Sequence, residues 1–291
     1  MEIGSEAHRE LYCRSFIEGH EKYEPEDLPW PDLDAEAVEK LRRIPFWTPA
    51  LEAEKTAGPM VGTAAAATEH PFVREAIELQ GYEENRHARL IRYMLERYDI
   101  DYVEPPEPVI PADAESAFID FGFEECLDSF GAFGIFALAK EAEFLPEGFF
   151  TIFNHIVQEE AHHIVFFLNW YGDLMVQKGR GTATQRNSRA LWQYGKAVVR
   201  LIHFGLASDS DSNAAFTATG AKTFVSDLTP TLFLSTCVRE NERRLAKFDS
   251  RLLRPRLGPA LAKFGLAGLS LLPPYGRPPK QLAPSSNTST R

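Results

Sequence analysis

The chain has 291 residues, is 44% hydrophobic and carries a net charge of −11 with a pI near 5.3. That is enough apolar material for one large domain, or for a core with an extension, while the acidic balance argues against a nucleic-acid partner and against attraction to an anionic membrane. The three cysteines, Cys13, Cys126 and Cys237, are widely spaced and form neither a disulfide framework nor a CxxC pair, which points to a reducing cytoplasm.

Helical periodicity dominates and strand signals are scarce, so the expected class is all-α. Residues 1–46 are polar and weakly periodic, show no leader pattern, and suit a short helix or two covering a helical bundle. A first bundle helix is expected over 49–67, with Thr48 as N-cap and Pro49 in the first turn. Its inward stripe, Trp47, Leu51, Glu54, Gly58, Val61 and Ala65, contains a glutamate, and Pro59 is expected to kink it. A second helix is expected over 71–98, with Val73, Ile77, Gln80, Glu84, His87, Ile91 and Met94 on one face. Glu54 and Glu84 lie equally far from the intervening turn near Glu69, so an antiparallel hairpin brings them to one height.

Residues 99–112 hold four prolines and read as an extended connection. Fourteen extended residues reach roughly 45 Å, about the length of the preceding helix, so a third helix can start at the opposite end. That helix is expected over 113–143 and a fourth over 148–176, after a turn at 145–148. On the fourth, the stripe Phe153, Ile156, Glu160, His163, Phe167 and Trp170 is more apolar than the rival register of His155, Glu159 and His162, so Glu160 and His163 point inward. Further helices are expected over 186–204 and 231–253, with a loop at 207–216. Residues 257–272 read as a short surface helix, with membrane contact as the alternative, and 273–291 as a disordered tail. The resulting division is a covering segment (1–46), a four-helix unit (47–178), a helical extension (183–272) and the tail (273–291).

The second and fourth helices carry the same pattern at their centres. "EENRHARLI" (83–91) and "EEAHHIVFF" (159–167) both read Glu-Glu-x-x-His followed by apolar positions. A Glu-x-x-His step sets a carboxylate and an imidazole on one helix face about a turn apart, where both reach one metal ion. A bare carboxylate on an inner face costs several kcal/mol unless it is paired or coordinated. Mixed carboxylate and imidazole donors point to iron or manganese rather than to a thiolate-rich zinc site. Glu54, Glu84 and His87 come from the first hairpin, and Glu160 and His163 from the second. The third helix offers Glu125 first and Asp128 second on its stripe, with Glu124, Glu141 and Glu143 as other candidates. Glu125 sits roughly six residues, or about 9 Å, off the height of Glu160.

These residues, Glu54…Glu84-Asn-Arg-His87 and Glu125…Glu160-Ala-His-His163, give residues 49–176 a pattern that resembles the ferritin-like diiron-carboxylate superfamily of ferritins, rubrerythrins, diiron monooxygenases and demethoxyubiquinone hydroxylases. The resemblance implies a four-helix bundle of two hairpins joined by a long crossover, two iron ions (or a Mn/Fe pair), and Glu84 and Glu160 as bridging carboxylates. It does not extend to the C-terminal third, and Pro59 and the height of Glu125 depart from the pattern. The function it implies is O2-dependent oxidation of a hydrophobic or aromatic small molecule, fed by an external electron donor. The alternative is iron handling or peroxide scavenging of the ferritin or rubrerythrin kind, against which stand the extra length and the missing rubredoxin cysteines. A homodimer is left open.

Around the predicted ligands, Glu83 and Glu159 read as solvent-facing charges, with a hydrogen-bonding role behind the ligands as the alternative. His162 reads as a hydrogen-bonding neighbour, Arg86 as an ion-pair partner of Glu83 or Asp128, and Cys126 as a packed small residue. "FGAFGIFALA" (130–139) supports two readings equally: close helix packing through Gly131 and Gly134, or a Phe-lined pocket.

Overall fold

The computed structural model describes residues 1–207 and 221–271, and every regular element among them is helical. The loop expected at 207–216, beyond its first residue, and the tail at 273–291 lie outside the described residues. The covering segment forms α1 (Glu6–Glu18), a single 3-10 turn (Pro25–Asp27) and α2 (Ala35–Arg42). The next four helices are α3 (Trp47–Ala66), α4 (Pro71–Arg97), α5 (Ala114–Glu141) and α6 (Glu147–Gln177). After them come α7 (Ala183–Ala207), α8 (Pro230–Leu245) and α9 (Leu257–Ser270).

Local chemistry sets most of the boundaries. Ser5, Asp34, Asp113 and Thr229 each accept a backbone N–H at the start of α1, α2, α5 and α8. The helix α3 differs from expectation: it begins at Trp47, Thr48 does not cap it, and Ala50 N–H donates to the Phe46 carbonyl. Trp47 donates its indole N–H to the Leu41 carbonyl, which ties the start of α3 to α2. Pro59, where a kink is expected, lies inside α3. It lies on the exposed side, where water can satisfy the carbonyl it leaves unpaired, and Thr63 Oγ1 donates to the Pro59 carbonyl at 3.0 Å. At the C-termini, α4, α5 and α6 share one closure. A residue with positive φ (Asp99, Glu143, Gly179) is followed by an N–H that reaches back five residues, as from Ile100 to the Leu95 carbonyl at 2.9 Å.

Residues 101–112 run extended, as their prolines require, and return the chain for α5 to begin. The helix α3 packs on α4 and α5, and α6 packs on α5 and α4. The helix α1 lies across α4 and α6, while α7 and α8 pack on α5 and α9 on α8. Among the described residues three apolar cores result, a small one around Ile135, Leu138 and Ala221 and two large ones. One joins α1 and the first half of α4 to Phe118, Phe123 and the second half of α6. The other joins α2, Leu51 and the second half of α4 to the start of α6. Between them, at Glu84, His87, Glu160 and His163, lies a buried polar layer. Among the described residues no helix is long and apolar enough to cross a membrane; α9 is a short helix with Leu261 and Phe264 exposed.

Candidate metal centre

Glu84 and His87 sit on the inner face of α4, Glu160 and His163 on that of α6, and both imidazoles are fully buried. Their ring centroids are 5.7 Å apart. Each of the two central carboxylates divides its oxygens between the rings. Glu84 sets Oε2 at 3.7 Å from His87 Nδ1 and Oε1 at 3.1 Å from His163 Nδ1. Glu160 sets Oε1 at 3.3 Å from His87 Nδ1 and Oε2 at 3.6 Å from His163 Nδ1. Glu54, from α3, brings Oε2 to 3.4 Å from His87 Nδ1. Donor atoms of Glu54, Glu84, His87 and Glu160 all lie within 4.8 Å of one another, an arrangement that can hold a metal ion.

Glu125, the fourth expected carboxylate, faces Glu160 from α5, near enough for the two carboxyl groups to interact. The expected height mismatch is smaller than the sequence implied. Glu125 lies 16 positions before the end of α5 at Glu141, and Glu160 lies 13 after the start of α6 at Glu147. Three residues are about 4.5 Å, which two facing glutamates span. Glu141 is no part of this group: it is exposed and pairs with Arg239 of α8. Glu143 is also exposed, at the positive-φ end of α5, and Glu124 pairs with Arg200.

The outer side of each ring is held from the opposite hairpin. His87 Nε2 meets Glu159 Oε2 at 2.8 Å, and His163 Nε2 meets Glu83 Oε2 at 2.8 Å. Glu83 and Glu159 are thus not solvent-facing: both are almost wholly buried. The reason is the covering segment. His20 Nδ1 lies 2.6 Å from Glu83, and Tyr23 donates its hydroxyl to Glu159 at 3.0 Å. Arg86 donates to Glu159 at 2.5 Å, lies 3.9 Å from Glu83, and stacks over the Tyr23 ring; it does not pair with Asp128. His162 is outside the cluster, bonded to the Gln158 carbonyl at 3.0 Å and packed on Phe248. The residues missed from sequence were His20 and Tyr23. The signal for Glu83 and Glu159 was present, since the first Glu of Glu-Glu-x-x-His repeats as faithfully as the second.

With both Nε2 atoms engaged, His87 Nδ1, His163 Nδ1 and Glu160 Oε2 remain buried without a hydrogen-bond partner, all turned into the same space. Such orphans are rare in protein interiors. A ligating imidazole that gives its other ring N–H to a carboxylate has this arrangement, so the donor set fits a carboxylate-and-histidine metal site. The protonation pattern of the cluster without metal follows from its crowding. Burial raises Glu54 to about 7, and burial with the adjacent Glu160 raises Glu125 well above the usual carboxylate range. Burial opposes ionisation of Glu84 too, but the neighbouring His163 prevails and lowers it to about 2. Burial would also lower His87 and His163, yet Glu54 beside the first and Glu84 beside the second hold both well above the usual imidazole range.

A cavity of about 230 Å³ opens directly on this layer, between α3, α5 and α6, and is walled by aromatic rings including Phe121, Phe136 and Phe153. Glu54, Glu125 and Glu160 face it, as does Asp128, whose carboxyl burial raises to about 7. The stretch 130–139 therefore serves both readings. Phe133 and Phe136 line the cavity, while Gly134 lets α8 approach, its missing Cβ lying 3.1 Å from Cys237 Cα. Cys126 is buried, and burial pushes its thiol up to about 12, as suits a packing residue. No family model matches the chain, and no curated protein matches it.

Proposed function

We propose that the chain is a ferritin-like four-helix bundle that binds two metal ions, iron foremost, and uses O2 to oxidise a hydrophobic small molecule. The observation that carries this reading is the pair of buried, unpartnered Nδ1 atoms, with Glu84 and Glu160 each offering one oxygen to either side. The mutual packing of α3, α4, α6 and α5 supports the bundle, and the extended 101–112 segment supports the crossover. Glu54, Glu84, His87, Glu125, Glu160 and His163 would hold the ions. Four carboxylates and two neutral imidazoles balance the charge of two divalent cations. Iron held this way supplies O2 reduction, with electrons from an external donor.

The protein's own groups do the rest. Glu83 and Glu159 fix each imidazole with its N–H outward, which leaves the Nδ1 lone pair for the metal. The aromatic shell excludes water from the reacting space, and the cavity sets a substrate against Glu54, Glu125 and Glu160. That apolar antechamber favours substrate oxidation over iron storage, because ferrous ions entering a store need a polar path. Purified protein is expected to hold about two iron ions per chain, and His87→Ala and His163→Ala to lose them along with O2 consumption. Metal analysis showing no bound iron, or content unchanged in both variants, would overturn the reading.

A further inference from the structure

The cavity beside the metal layer has one-sided polarity. Among the described residues that line it, the polar side chains are Glu54, Glu125, Glu160, Asp128 and Ser129, and none is Lys, Arg or His. The Trp47 indole N–H is already spent on the Leu41 carbonyl. If Glu54, Glu125 and Glu160 ligate metal, as proposed above, their charge is neutralised and Asp128 alone remains. Among the described residues no hydrogen bond or ion pair reaches Asp128; its electrostatic neighbours are Glu124 and Glu160, both of its own sign. It sits one helical turn beyond Glu125 on α5, so it projects into the cavity beside the metal layer. A carboxylate in an apolar pocket without a partner carries a large desolvation cost, and buried charges in proteins are ordinarily paired. A carboxylate placed beside Asp128 would meet like charge, and no Lys, Arg or His among the described lining residues would answer it.

We propose that the cavity binds a hydrophobic amine, its ammonium group paired with Asp128 and its apolar body among the aromatic rings. The volume is below the ~300–1,000 Å³ of sites for drug-sized ligands, which sets a small occupant such as an arylalkyl or branched alkyl amine. This inference rests on the metal-site reading, because it takes Asp128 as the one cavity carboxylate left without a cation.

The test is calorimetric titration of the full chain loaded with Mn(II), which turns nothing over, using 2-phenylethylamine, 2-phenylethanol and phenylacetate. The three have similar bodies and differ in the terminal group. The amine is expected to bind ~10–100-fold more tightly than the alcohol, with the acid weakest. Asp128→Asn should erase the preference for the amine while leaving the alcohol's affinity unchanged. Ala132→Leu, which narrows the cavity one turn further along α5, should weaken all three, and it serves as the control should Asp128→Asn fail to fold. Acid or alcohol binding as tightly as the amine, an undiminished amine preference in Asp128→Asn, or no binding of any probe would overturn the proposal. Metal content of the same samples is read separately, so a chain that takes up no manganese or iron defeats the metal reading whatever the amines do. A fully loaded chain without amine preference defeats only this inference.

Discussion

Glu159 accepts from three groups at once: the His87 ring, the Arg86 guanidinium and the Tyr23 hydroxyl. Its charge orients the imidazole and also answers a cation that is itself wholly buried. Glu159→Gln keeps the shape but removes the charge, so the imidazole loses its strongest orienting partner. Partners of this kind typically contribute 10–100-fold in metal affinity, and a loss of that size is expected here, read by competition with a chelator of known affinity. Glu83→Gln should act likewise through His163. A variant with unchanged affinity would mean the Glu–His contact is only a packing feature. The inward pair Glu160 and His163 was legible from the apolar phase of α6, and its echo in α4 identified Glu84 with His87. What was hidden is that the neighbouring glutamates are buried as well. Helical periodicity describes the face α4 and α6 show to their partner helices, and the segment that covers the other face, residues 19–24, has no periodicity to read.

At the scale of elements, α5 shows where single-sequence reading ends. It is apolar on nearly every side, since it meets α3 and α6 on one flank and α7, α8 and α9 on the others. A helix buried all round has no single stripe, which is why its ligand was the hardest to choose and why its glycines supported two readings. Packing resolves Gly134. An added Cβ would fall 3.1 Å from the Cα of Cys237 and closer still to its Sγ, so the obstacle includes backbone that cannot swing aside. Gly134→Ala is expected to destabilise the protein by about 1–3 kcal/mol through overpacking, measured by urea unfolding, by prying α8 from α5. Gly62, which has open space around it, is the control: its alanine variant should be neutral or slightly stabilising, because alanine favours the helix.

For the molecule as a whole, α1 near the start of the chain and the segment between α8 and α9 are latched to the same residue of α6. Asn169 is completely buried. Its Oδ1 lies 3.0 Å from His8 Nε2 of α1 and accepts the Leu253 N–H at 2.9 Å, while its Nδ2 donates to the Leu253 carbonyl at 3.0 Å. One amide thus holds the covering segment, which supplies His20 and Tyr23 to the buried polar layer, and the segment between α8 and α9. Asn169→Ala removes all of these bonds and strands a buried imidazole and a backbone N–H, so a loss of about 2–4 kcal/mol is expected. The loss should be regional. Hydrogen exchange should quicken in α1 and around Leu253 while the centre of α4 stays protected. The same latch gives a pH dependence with a definite sign. Burial lowers the His8 pKa below its ordinary 6.5, against the opposing hydrogen bond to Asn169. The unfolded chain therefore takes up a proton near pH 6.5 that the folded latch resists, and the stability present above that pH falls as acid is added. His8→Gln, which does not titrate, should show a flatter decline between pH 7.5 and pH 5.5 than the wild type. An equally steep decline in the variant would place the acid sensitivity elsewhere and leave His8 a purely geometric part of the latch.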